Sequence, residues 1–160
     1  MTEINLEKIE FARNLIKGRI AEVVFEQMMR LKDEYDIIPF GYEYTMPTLM
    51  QHRDKADIQK IIDNIADAPD FVLISKDKTK IYLVEVKYRK DIQITDIKEV
   101  ANKLIDRWEY PWLFVATPHG FKCDLCDNIV KKNFIADMSE SWATKETQDD
   151  FLKLLNEFEK

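Results

Sequence analysis

"PDFVLISKDKTKIYLVEVKYR", residues 69–89, decides how this chain is read. Two apolar runs, 70–75 and 80–88, flank a short polar stretch, the pattern of a β-hairpin. Charges interrupt that pattern at Asp70, Glu85 and Lys87. Side chains alternate along a strand, so Ile81, Leu83, Glu85 and Lys87 share one face, while Tyr82, Val84 and Val86 share the other. A two-residue turn at Asp77-Lys78 and a four-residue loop over 76–79 give the same register, with Asp70 directly across from Glu85. A loop of odd length would separate them, and no Asn-Gly pair marks the turn.

Opposed side chains in such a pair lie about 5 Å apart at Cβ. Two carboxylates at that separation repel by about 3 kcal/mol at an effective dielectric near 20. A positive group is therefore expected between them. Lys87 is one candidate and a divalent cation the better one, since converging oxygen ligands suit Mg²⁺ or Mn²⁺. The bland alternative is a solvated Asp70 at a strand end and a surface ion pair between Glu85 and Lys87.

Outward from the hairpin, residues 3–32 read as a helix, with a possible break at Gly18. "IIPFGYEYT", 37–45, reads as a strand, and 46–68 as a polar insertion with a helix whose Ile58, Ile61, Ile62 and Ile65 share a face. "TDIKEVANKLIDRW" is an amphipathic helix with Thr95 expected as its N-cap. "PWLFVAT", 111–117, is a buried strand; reached by a helical crossover, it is expected to run parallel to 80–88. A short strand near 133–137 and a helix over about 146–158 complete the chain. This order predicts an α/β fold, a mixed sheet with helices on its faces, in a single domain over residues 1–160.

Composition excludes several classes. The chain is 46% hydrophobic and 34% charged, so a packed core is expected rather than disorder. "MTEINLEKIE" is too polar and acidic for a secretory signal, and no apolar run approaches a membrane span. Two cysteines are too few for a disulfide framework, so a cytoplasmic setting without membrane association is expected. A net charge of −6 disfavours general polyanion binding, yet Lys76, Lys78, Arg89 and Lys90 make a basic run around the hairpin.

Pro69-Asp70 followed by Glu85-Val86-Lys87 resembles the signature of the PD-(D/E)XK nuclease superfamily. The resemblance covers roughly residues 15–118 and implies a restriction-endonuclease-like αβββαβ core, here with a helical insertion between the first two strands. It implies hydrolysis of nucleic-acid phosphodiesters with Mg²⁺ or Mn²⁺, held by Asp70, Glu85 and the Val86 carbonyl. Lys87 would orient or help deprotonate the attacking water. "GRIAE", 18–22, is similar to the Gly-x-x-x-Glu start of archaeal Holliday-junction resolvases, which makes Glu22 a further active-site acid, acting through a water or a second metal. Against this, Arg19, Glu22, Glu26 and Arg30 also form ready-made i,i+3 and i,i+4 ion pairs. Lys76, Lys78, Arg89 and Lys90 would meet backbone phosphates. The processive-exonuclease pattern is absent, because Gln93 is followed by Ile97 rather than Tyr.

The expected function is thus a metal-dependent endonuclease, with DNA favoured over RNA, acting as a homodimer or within a larger complex because of its acidic charge. The alternative is a non-catalytic nucleic-acid- or protein-binding module retaining the fold. His119, Cys123 and Cys126 lack a convincing fourth zinc ligand, and His52 is a weak candidate ligand upstream of the hairpin. Trp108 and Trp112 are expected in core packing rather than base stacking.

Overall fold

In the computed structural model of the chain, which describes residues 3–40 and 68–158, the hairpin keeps the even register. Its strands run from Phe71 to Ser75 and from Ile81 to Tyr88, and Phe71 faces Val84. The loop is the four-residue form: the Ser75 N–H donates to the Lys80 carbonyl at 2.9 Å, and Lys78 takes a left-handed φ of 63°. Asp77 closes it, accepting from the Ser75 hydroxyl and from the N–H and hydroxyl of Thr79. These donors hold its carboxyl down at about 2.

The described elements are α1 (Glu3–Lys32), β1 (Tyr35–Pro39), β2 (Phe71–Ser75), β3 (Ile81–Tyr88), α2 (Ile94–Ile105), β4 (Trp112–Thr117), β5 (Gly120–Leu125), α3 (Cys126–Lys132) and α4 (Lys145–Glu157). They form an α/β structure whose five-stranded mixed sheet has the order β1-β2-β3-β4-β5. β3 and β4 are parallel, as the α2 crossover requires, and the other neighbours are antiparallel.

Alternation along the strands sends apolar side chains to both faces. Val84, Val86, Phe114 and Phe121 pack on one side against Ala21, Val24, Phe25 and Met28 of α1 and Leu155 of α4. Leu113 and Val115 pack on the other against Ile97, Ala101 and Leu104 of α2 and Ile129 of α3. Helix α1 runs unbroken through Gly18. A glycine costs a helix interior about 1 kcal/mol, which the burial of the following turns outweighs.

Four differences from the sequence reading have local causes. β1 begins at Tyr35, not 37; its expected continuation over 41–45, the 46–67 insertion and His52 lie outside the described residues. Thr95 does not cap α2, which starts one residue earlier with Gln93 at the N-cap and Asp96 in the first turn. Residues 120–132 form β5 and α3, where no element was expected. The strand expected near 133–137 is reduced to one bridge between Asp137 and Lys122. Among the described residues, no helix is long and apolar enough to cross a membrane.

β3 outruns β2. Pairing to β2 ends at Val84, while Glu85 to Tyr88 pair only with β4. One edge of β3 is thereby opened toward α1, and the site described next occupies that opening.

Candidate active site

Asp70 stands just before β2, after Pro69, which is fully buried. Its Oδ2 accepts the Val86 N–H at 2.8 Å, satisfying a backbone donor on the edge that β2 has left. The Glu85 carboxyl lines the same cleft beside this carboxylate, near enough for the Asp70 charge to act on it. Burial, then the charge of Asp70, push the Glu85 carboxyl up to about 9, and Glu22 adds a weaker push. Lys87 pulls the other way, its Nζ lying 3.7 Å from Glu85 Oε1. Glu85 is 13% exposed and Lys87 36% exposed, so the amine is open to solvent while the acid beside it is not.

These residues line a cleft of about 910 Å³ between α1 and α2. On the α1 side Glu10, Asn14, Gly18 and Glu22 follow one another at four-residue steps, which places them on one ridge of the helix. A side chain at Gly18 would meet nothing within 4 Å, so the glycine leaves that wall open. Glu22 also pairs with Arg19 at 3.3 Å. Glu26 pairs with Arg30 at 2.7 Å and does not line the cleft.

The walls are basic. Seven cationic and four acidic side chains line the cleft, although the whole chain carries −6. Arg89 and Lys90 are among the cations, as the sequence suggested; Arg89 grips Asp96 through Nε at 2.6 Å and Nη2 at 3.2 Å. Lys76 and Lys78 lie elsewhere. They sit at the far tip of the hairpin, 3.0 and 2.7 Å from the Asp36 carboxylate. Beside these and Lys87, Arg13, Lys17 and Arg19 of α1 and Lys103 of α2 supply the remaining cations, and the sequence reading missed that role for all four. Lys17 lies 5.3 Å from the ring centre of Tyr88, on β3. The four-residue ridge ending at Glu22 was the available signal for the α1 wall.

Burial, with Asp70 beside it, disfavours the ionised form of Glu85, and a hard divalent cation at this position would favour it. Asp70, Glu85 and the adjacent Val86 could hold such an ion. Among the described residues, no three His, Cys, Asp or Glu side chains converge on one metal position, which leaves Glu22 outside the donor pair. Cys123 and Cys126 are buried free thiols; burial pushes Cys126 up to about 12 and Cys123 higher, and His119 lies in the turn between β4 and β5. Trp112 packs on Tyr82 and Trp142, and Trp108 on Phe40.

No protein-family model matches the chain, and no curated protein matches it.

Proposed function

We propose that the chain is a divalent-metal-dependent nuclease with a restriction-endonuclease-like core. The observation that carries this reading is the placement of Asp70 and Glu85 together in a basic cleft where β2 and β3 part, with Lys87 3.7 Å from Glu85. Asp70, Glu85 and the Val86 carbonyl are the ligands assigned to Mg²⁺ or Mn²⁺, which when bound would act as a Lewis acid at the scissile phosphate.

The chain's own groups have distinct tasks. Lys87 orients the attacking water, takes up its hydrogen-bonding demand and opposes charge developing on the phosphoryl oxygens. Asp70 fixes the β3 edge through Val86 N–H, so the backbone that carries Glu85 and Lys87 does not shift as substrate enters. Glu22 acts at one remove, through water. Arg13, Lys17, Lys90 and Lys103 hold backbone phosphates, contacts that position a strand without reading its sequence. A polyanion is then favoured at this cleft despite the acidic whole. DNA is the proposed substrate, cut within the strand, and a cytoplasmic protein is the corresponding setting.

The test is a substrate panel: supercoiled plasmid, branched DNA and single-stranded RNA, each with Mn²⁺, Mg²⁺ or EDTA. Metal-dependent nicking of plasmid or branched DNA is expected. Cleavage of RNA alone would reassign the substrate, and cleavage of nothing with retained binding would leave a binding module.

Phosphate contact makes a separable prediction. Lys90→Ala combined with Lys103→Ala should weaken DNA binding and lower the slope of log affinity against log salt by about 1 to 2. Lys76→Ala with Lys78→Ala should leave that slope unchanged, because their ammonium groups are committed to Asp36 away from the cleft. Fluorescence anisotropy across a salt series distinguishes the two pairs.

A further inference from the structure

The flank of α1 turned away from the cleft is apolar. Ile9, Ile16 and Val23 recur every seven residues, with Leu6 three residues before Ile9 and Ile20 between Ile16 and Val23. Leu6, Ile9, Ile16 and Val23 are 47–57% exposed. At the C-terminal end of α4, Leu154 and Phe158 border a groove of about 340 Å³ with Ile16, Ile20 and Val23. The opposite side of α1 is already used, since Ala21, Val24, Phe25, Met28 and Met29 are buried in the core. A helix apolar on both sides has two surfaces to cover. Its first described turns, residues 6–16, are exposed throughout, and a helix that short is marginal in water without a partner.

We propose that this band is a dimer interface, with α1 of one copy packed antiparallel against α1 of a second copy. Three observations select a second copy as the occupant. The seven-residue period is that of a helix-pairing seam. The seam is also its own complement in the antiparallel sense: Leu6 of one copy meets Val23 of the other, Ile9 meets Ile20, and Arg13 meets Ile16. A two-fold axis requires that self-matching. Arg13, the one polar residue in the seam, can lay its aliphatic stem along the contact and keep its guanidinium at the cleft rim. Finally, covering the seam together with Leu154 and Phe158 removes on the order of 600–800 Å² per copy, close to a standard stable interface. Dimerisation does not depend on the chemistry of the cleft.

Sedimentation velocity on the full chain over about 1 to 100 µM tests this, the range in which an interface of that size is populated. A species near twice 19.0 kDa is expected, and Ile9→Glu with Ile16→Glu should return a monomer whose core stays folded, with any loss of helix content confined to the exposed first turns of α1. Leu31→Glu, at a still more exposed apolar position of α1 that lies beyond the antiparallel overlap of residues 6–23, should leave the dimer intact. A monomeric wild type, a dimer that survives the double substitution, or equal loss with Leu31→Glu would each overturn the proposal. Were the double substitution to unfold the chain, Val23→Ser decides the matter. A dissociation constant raised tenfold or more supports the seam, and an unchanged one overturns it.

Discussion

Lys87→Ala should lower the single-turnover rate of DNA nicking by about a thousandfold, within the range for removing a positioned proton-transfer or charge-stabilising group. That corresponds to about 4 kcal/mol of transition-state stabilisation. The geometry explains why the loss falls on the rate. Lys87 holds its ammonium 3.7 Å from Glu85 in a partly open position, where the reacting phosphate and water would come. Phosphate binding is spread over Arg13, Lys17, Lys90 and Lys103, so affinity for uncut DNA should change by only a few fold. Folding should also survive, because the side chain is more than a third exposed and belongs to neither core cluster. Lys87→Arg keeps the charge but not the compact amine, and should recover binding more than rate. Rapid-quench cleavage alongside anisotropy separates the two effects.

Glu85→Gln should stabilise the metal-free protein at neutral and alkaline pH. The folded Glu85 carboxyl is raised to about 9 from an ordinary 4.5, by burial first and by Asp70 second. The folded state therefore holds a proton that the unfolded chain releases above about 4.5. Stability from this group is fully present below pH 4.5 and is lost progressively as pH rises toward 9. Glutamine has no proton to lose. At pH 7.5 the variant should be more stable than wild type by several kcal/mol, and at pH 4.5 by almost nothing. The proposed cation reverses the order: Mn²⁺ should raise the melting temperature of wild type and leave Glu85→Gln nearly unchanged. Urea titrations at several pH values, with and without Mn²⁺, measure both. Equal stability of the two proteins at every pH would remove the buried-acid description.

The hairpin was legible because its register depends on loop parity alone. Both plausible turns put Asp70 opposite Glu85, and the four-residue loop closed by Asp77 keeps that register, although the ladder itself stops one pair short, at Phe71 and Val84. The parallel β4 followed from crossover handedness. β5 was missed for a specific reason. In "GFKCDL" the buried Phe121 and Cys123 alternate with Lys122, but buried Asp124 breaks the pattern; its carboxylate accepts from Leu125, Asn128 and Ala136. A buried acid satisfied by donors from the residues that follow its strand leaves no periodic trace. Thr95 misled because a cap residue next to an apolar run is only a local signal. Asp96 pairs with Arg89 inside the first turn of α2, which accordingly begins before Thr95. Lys76 and Lys78 misled because charge in sequence says nothing of Asp36, forty residues upstream, which holds both. The α1 wall was hidden by the stronger i,i+4 pattern of Arg19, Glu22, Glu26 and Arg30, of which only the first two line the cleft.

The most direct measurement is nicking of supercoiled plasmid by wild type and Asp70→Asn, side by side, with Mn²⁺ and with EDTA. Asparagine is close in shape and its carbonyl can still accept the Val86 N–H, so the variant should fold while losing the paired charge. Nicking is expected from wild type with Mn²⁺ alone, and from no other combination. Nicking that persists in EDTA or in Asp70→Asn, or a folded wild type that cuts no plasmid with Mn²⁺, would contradict a metal-dependent DNA-cutting centre built on Asp70, Glu85 and Lys87.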